Sequence, residues 1–347
     1  MGSVFMTGAT GFLGSRIARS LIERGDHVIA LHRASSDRRA LLDLEIEWVE
    51  GDLGDGSGLG EGASRLAARD ADGWVVHSGA LISYRTAERE AQVGANVEGT
   101  ARLLEALGAA GLGRMLHVSS VVTVGASRDP GVALTEESEC GPPVRSAYVA
   151  TKRAAEKLVL EFGANSGRDV RAVCPGAIFG PTRAANTSRF LDEVRKRGAP
   201  LGVPPGSLSP VGVGDVAEGV LLAMERGRAG RRYLLTESSA TMFELYTAAA
   251  RAFNQRPPKF TVPGPLWRAL AAGARPVDAV RELQLLTPES LELLGLHFRY
   301  DSERARTELG WEPQPFSGVL GEVAEYLGGG DPGSAGAQPS ASSNTGP

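Results

Sequence analysis

The sequence predicts an α/β fold, a doubly wound parallel sheet with a smaller C-terminal lobe interleaved into it. Three observations carry this expectation. Short apolar runs alternate with amphipathic helical patterns over the first 170 residues, as parallel strands joined by crossover helices require. A glycine-rich turn links the first apolar run to the first helical pattern. Beyond Pro175 the alternation loosens into loops, short helical patterns and proline pairs at 204–205 and 257–258.

Val4–Met6 reads as the first strand, and Phe12 to Arg24 as the helix after it, closed by Gly25-Asp26. His27–Leu31, Ile46–Val49, Trp74–His77, Met115–Ser119 and Val170–Cys174 continue the strand series. Asn96–Ala110 carries Val97, Leu103, Leu104 and Leu107 near helical spacing. Val213–Arg226 is expected to return a helix to the main sheet. Residues 1–174 with 211–236 are thus expected to form the sheet domain, and 175–210 with 237–327 the smaller lobe. Residues 328–347 are rich in Gly, Ser, Pro and Ala. Without apolar periodicity they bury too little surface to offset ordering entropy, so a disordered tail is expected there.

At 347 residues, 42% hydrophobic and 22% charged, the chain can build a sizeable core. A net charge of −4 offers no electrostatic reason for a nucleic-acid or anionic-membrane partner. The two cysteines, Cys140 and Cys174, form no CxxC and have no neighbouring histidine pair, which argues against a disulfide scaffold or a metal site. No secretory pattern precedes Val4, and position 6 is Met where myristoylation wants Ser or Thr. No apolar run of about 18 residues is available to span a bilayer. A cytoplasmic protein with a small-molecule substrate is expected.

The turn Thr7-Gly8-Ala9-Thr10-Gly11-Phe12-Leu13-Gly14 spaces its glycines G-x-x-G-x-x-G between a strand and a helix start. A pyrophosphate placed there meets free backbone N–H groups and the positive end of the helix. Gly8 permits the tight turn, Gly11 the close approach of phosphate, and Gly14 the packing of helix on sheet. An acid ending the second strand would bind a ribose 2′-hydroxyl. This chain instead reads Leu31-His32-Arg33, with no carboxylate before Asp37. Arg33, helped by Arg38 or Arg39, is suited to a 2′-phosphate, so NADP is expected in preference to NAD. A solvated arginine cluster is the competing reading. Asp52, just past the third strand, is expected either at the adenine edge or as a turn cap.

Tyr148-Val149-Ala150-Thr151-Lys152 opens a helical pattern, and its i, i+4 spacing puts Tyr148 and Lys152 on one face. An ammonium beside a phenol, with a nicotinamide's positive charge, is expected to lower the phenol's pKa toward neutrality. Tyr148 is then the acid/base for a substrate oxygen while hydride moves at carbon. Ser119-Ser120, at the end of the preceding strand, offers that oxygen a hydroxyl.

Together these residues resemble the extended short-chain dehydrogenase/reductase family, within the epimerase/dehydratase superfamily. The pattern is nearest to dihydroflavonol reductases and 3β-hydroxysteroid dehydrogenases, and the likeness runs from Ser3 to Leu327. Further matching pieces are His77-Ser78-Gly79-Ala80, Asn96-Val97-Glu98-Gly99-Thr100, Pro175 to Pro181, Gly214-Asp215-Val216-Ala217 and Leu309-Gly310-Trp311. The resemblance implies a Rossmann-type fold and a catalytic set of Ser120, Tyr148 and Lys152, Ser120 being preferred to Ser119 for its spacing to Gly125. It implies a structural or proton-relay part for Asn96, and cofactor contacts at Phe12, Leu13, Leu53, Ala80, Pro175 and Ile178. It also implies a homodimer built on the Asn96 and Tyr148 helices. Two departures, Gly79 where alanine is usual and Thr151 where serine is frequent, remove no reactive group.

A carbonyl reductase or carbinol dehydrogenase is the expected reaction class. A nucleotide-sugar epimerase and a dinucleotide-sensing regulator are the alternatives. Dehydratases of the family carry acids after the serine, where this chain has Val121-Val122, and its Cys174-Pro175-Gly176 lacks the Asn of sugar-nucleotide enzymes; Arg183 and Arg189 remain as candidate diphosphate contacts. Phe190, Leu208, Phe243, Tyr246, Trp267, Leu283 and Leu286 are expected to be mostly core, with any that line the cleft favouring a hydrophobic ligand. Tyr84 is expected on the pocket side. The membrane anchor of some steroid relatives is not expected in Leu266–Val280, which Arg268, Arg275, Pro276 and Asp278 interrupt.

Overall fold

The computed structural model describes residues 2–138, 146–182, 185–280 and 287–328. Cys140, Arg183, Leu283, Leu286 and the expected tail from residue 329 lie outside the described residues.

The elements of the first half are β1 (Ser3–Thr7), α1 (Phe12–Glu23), β2 (His27–His32), β3 (Ile46–Glu50), α2 (Leu59–Arg69), β4 (Trp74–His77), α3 (Arg89–Val93), α4 (Gly99–Ala109), β5 (Arg114–Val118) and α5 (Ala147–Ser166). There follow β6 (Asp169–Pro175), β7 (Ala177–Phe179), α6 (Asn186–Arg197), β8 (Gly202–Val203), β9 (Ser207–Leu208), β10 (Pro210–Gly212), α7 (Val213–Arg226) and β11 (Arg232–Leu235). The chain continues as β12 (Ala240–Thr241), α8 (Met242–Ala252), β13 (Phe260–Thr261), α9 (Gly264–Val280), α10 (Pro288–Leu294), α11 (Glu303–Leu309) and α12 (Phe316–Gly328). Among the described residues, one seven-stranded sheet runs in the order β11-β6-β5-β4-β1-β2-β3, all neighbours parallel.

Alternation along β1 explains why its apolar run is continuous. Val4 and Met6 face the helices α1 and α7, packing with Ile17, Leu21, Val216 and Val220. Phe5 faces the opposite layer, with Leu59 and Leu66 of α2 and Leu103 and Leu107 of α4. Both faces of a parallel sheet are covered by its crossover helices, so the middle of β1, Val4-Phe5-Met6, is apolar without a break. The second helical layer, α2, and the edge strand β11 carry weak local signals and are additions to the sequence reading. A further core joins Phe179, Leu191, Met242, Leu245, Val319 and Val323, with Phe190, Leu208 and Tyr246 packed against it. Those three aromatic and apolar residues of the C-terminal half are core, as expected.

One helix differs from its expected course. The segment expected to begin helix at Asn96 is already helical from Arg89 and passes through a π-turn at Gly94–Glu98 before α4. The wide turn lets Asn96 reach two partners outside its own helix. Two distant sequence pieces also meet: Trp311, fully buried, donates its indole N–H to the Asp215 carbonyl at 2.8 Å. Among the described residues no helix is long and apolar enough to cross a membrane.

Candidate active site

The strand order reverses direction between β1 and β4, and the crevice beyond their C-terminal ends is where a doubly wound sheet accepts ligands. Backbone approaches backbone there. Gly8 has φ +76°, and a Cβ on it would lie 2.5 Å from the Gly79 nitrogen. A Cβ on Gly14 would lie 1.9 Å from the Gly8 carbonyl oxygen. Gly11 is exposed, and a Cβ there would meet only the Gly8 oxygen, at 3.3 Å. No side chain caps α1, so the first-turn N–H groups, Phe12 and Leu13 included, have no intrahelical partner. The cradle fits a dinucleotide pyrophosphate.

Behind it runs a directed chain of hydrogen bonds. The Asn96 carbonyl accepts the Thr100 hydroxyl proton at 2.6 Å, so Thr100 Oγ1 must accept from His77 Nε2, 2.9 Å away. His77 Nδ1 therefore accepts from Thr7 Oγ1 at 2.7 Å, and Thr7 in turn accepts the Gly79 N–H at 3.2 Å. Only a neutral imidazole satisfies this order. Burial, with Lys152 adding to it, pushes His77 down to about 3. Asn96 Oδ1 accepts from Leu81 N at 2.7 Å, and its Nδ2 donates to Leu81 O at 2.9 Å and Thr151 Oγ1 at 3.2 Å.

The arginines after β2 separate by circumstance. Arg39 is paired with Asp37 at 2.6 Å, and Arg38 lies 5.2 Å from the Trp48 ring centre. Arg33 is exposed, and its guanidinium makes no hydrogen bond or ion pair among the described residues. Asp52 Oδ1 accepts from Gly54 N at 2.8 Å, the turn-capping arrangement. Leu53 packs against Gly79: a Cβ at Gly79 would lie 2.6 Å from Leu53 Cδ1. Ala80 is exposed beyond β4, while Pro175 and Ile178 sit at the end of β6 and within β7.

Ser146 caps α5, accepting the Val149 N–H at 3.2 Å, and one turn of that helix separates Tyr148 from Lys152. Tyr148 is 8% exposed, and the Ser120 hydroxyl on its side of the crevice favours the ionised phenol. Lys152 is buried and donates to the Val118 carbonyl at 2.9 Å. The expected fall of the Tyr148 pKa is not what the protein alone provides. Burial pushes the phenol up, the Ser120 hydroxyl works against that, and the Lys152 ammonium is directed to Val118 instead. Lys152 itself is pushed down to about 8 by burial, with Glu156 the main group working against it. The Tyr84 ring stands edge-on to Tyr148, centres 5.8 Å apart.

The sequence reading passed over Glu156. It is buried, accepting from Ser119 Oγ at 2.5 Å, Thr123 Oγ1 at 2.8 Å, Cys174 Sγ at 3.3 Å and Arg232 Nη1 at 2.9 Å. Its only sequence signal is a charge on the α5 face otherwise formed by Tyr148, Val149, Lys152, Ala155 and Val159.

The model of the NAD-dependent epimerase/dehydratase family matches residues 4–235. The chain belongs to this family. It is 33% identical to sterol demethylase protein B of Methylococcus capsulatus, over 94% of this chain and 98% of that protein. It is 31% identical to a putative dihydroflavonol 4-reductase of Synechocystis, over 93% and 94%. The solved structure of gox2253 superposes with a TM-score of 0.80 at 27% identity, covering 94% of this chain and 98% of that one. The α/β architecture read from the sequence is thus the family's own. As a member of this NAD-dependent family, with relatives named as reductases, the chain is an enzyme.

Proposed function

We propose that the protein is an oxidoreductase that moves hydride between a nicotinamide dinucleotide and the carbinol or ketone carbon of a small hydrophobic substrate. The observation that carries this reading is the Ser120–Tyr148 hydroxyl pair at the crevice, with Lys152 one helical turn behind. In the reducing direction Ser120 donates a hydrogen bond to the substrate carbonyl oxygen, and Tyr148 gives that oxygen its proton. The Lys152 ammonium favours the phenolate left behind. Asn96 ties the turn after β4 to α5 through Leu81 and Thr151, keeping crevice and helix in register.

The bound dinucleotide supplies or accepts the hydride. Its pyrophosphate belongs at Gly8, Gly11, Phe12, Leu13 and Gly14. NADP is preferred to NAD because Arg33 follows β2 with an unengaged guanidinium and no carboxylate takes that place. Relatives named for a sterol and for a dihydroflavonol support a ring-bearing, hydrophobic substrate.

The test is NADPH oxidation with a panel of cyclic ketones. Tyr148→Phe should lower kcat by about 100-fold or more. Full turnover in that variant would remove Tyr148 as the acid/base.

A further inference from the structure

We infer that Glu156 is a positioning residue that grips the loop carrying Ser120 and supplies the counter-charge to Lys152. The inference rests on the reading of Ser120, Tyr148 and Lys152 just given, but its geometry stands by itself. Glu156 lies one turn beyond Lys152 on α5, so the two side chains are helix-face neighbours. Its Oε2 accepts from Ser119 and Thr123, the residues on either side of the Ser120–Val122 stretch. Cys174 of β6 donates to the same oxygen, and Arg232 of β11 holds the other. One carboxylate thereby ties three strand ends, β5, β6 and β11, to the helix bearing the phenol.

The other groups facing Lys152 give it no negative charge. From β4 and β5 it meets His77 and His117, and burial holds both imidazoles neutral. From β5 it meets the Val118 carbonyl, and from β6 the Cys174 thiol, which burial pushes well up. Within its own helix the neighbours are Tyr148, also pushed up by burial, and Glu156. Glu156 is the one carboxylic acid among these. Arg232 pairs with it from the far side at 2.9 Å and also donates to the Glu136 carbonyl, so the buried carboxylate has a cation beside it.

The sequence contains four lysines, Lys152, Lys157, Lys196 and Lys259, which makes a direct titration practical. Protein labelled with 13C at lysine Cε gives four signals, and Lys152 is assigned by its absence in Lys152→Met. The wild-type Lys152 signal should titrate at about 8. In Glu156→Gln its midpoint should fall by about one pH unit, since burial then acts with less opposition. Gln can turn its oxygen to Arg232 and its amide to the Ser119 and Thr123 hydroxyls, so folding should survive. Should it not, Glu156→Gln combined with Arg232→Met removes the unpaired cation and is expected to show the same downward shift.

With substrate, the alkaline fall in kcat should begin about one pH unit lower in the variant, whereas a purely structural role would lower kcat with an unmoved profile. A Lys152 midpoint that stays in place or rises overturns the inference. Absence of ketone reduction by the wild type would instead defeat the reading of the reaction, and the lysine titration would still decide the role of Glu156.

Discussion

His117 on β5 is buried beside His77, ring centres 5.2 Å apart, and neither of its ring nitrogens has a hydrogen-bond partner. Burial, the charge of Lys152 and His77 all hold it well below the ordinary imidazole value of 6.5. The sign of the pH dependence follows. At pH 5 the unfolded chain protonates this imidazole and the native chain does not, so stability present near pH 7 is lost as the pH falls through 6.5. An unfolded-state pKa near 6.5 makes the loss about 2 kcal/mol between pH 7 and pH 5, provided the native imidazole stays neutral at pH 5. For a chain of this length that is a fall in Tm of about 3 °C.

His117→Leu isolates this contribution, because Leu has nearly the same volume and does not titrate. At pH 7 the variant should be more stable by about 1 kcal/mol, since two unpaired buried polar atoms are gone. At pH 5 the advantage should grow by about 2 kcal/mol, measured by urea unfolding at both pH values. Every other titrating group is common to both proteins and cancels in the double difference. An equal loss of stability in variant and wild type between pH 7 and pH 5 would mean that His117 is charged, or solvated, in the native state.

Three further outcomes are expected. Arg33→Asp should move the ratio of kcat/KM for NADPH over NADH by about tenfold or more toward NADH, as steady-state assays with both cofactors will read. Gly14→Ala should weaken dinucleotide binding in calorimetry by at least about tenfold and lower Tm, because its Cβ would sit 1.9 Å from the Gly8 oxygen. Gly321→Ala, exposed within α12 with open space around the added carbon, should instead stabilise by about 0.5–1 kcal/mol.

What the sequence made legible was local. The glycine turn, the Tyr148–Lys152 spacing and the strand periods all act within a few residues, and they appear in the structure where the periodicity put them. Glu156 was not legible for a specific reason. Lys152/Glu156 and Lys157/Glu161 are the same Lys-to-Glu i, i+4 pattern on the same helix. The second pair is solvent-exposed at 3.7 Å, while the first is buried under β5 and β6. Helix phase alone cannot separate them; the sheet that covers one face does. The sequence put Arg33 first and could not choose between Arg38 and Arg39 as its helper; in the structure Asp37 engages Arg39 and Trp48 engages Arg38. The π-turn at Asn96 depends on Leu81 and Thr151, 15 and 55 residues away, which no local window contains.

Those long-range ties also bear on how the two reactive hydroxyls are held. Ser146, the cap of the Tyr148 helix, donates to Glu289 of α10, while Tyr300 donates to the Val121 carbonyl at 3.1 Å and to that of Gly125. Residues 289–300 therefore grip both the helix start beside Tyr148 and the loop that follows Ser120. The same stretch returns to the C-terminal half through His297, whose Nδ1 is 2.9 Å from Ser207 Oγ. Substitutions elsewhere in that half can reshape a substrate cleft while these clamps keep Ser120 and Tyr148 in register. A change at Glu289 or Tyr300 acts on the hydroxyls directly, and its mark should be a lower kcat rather than a new substrate preference.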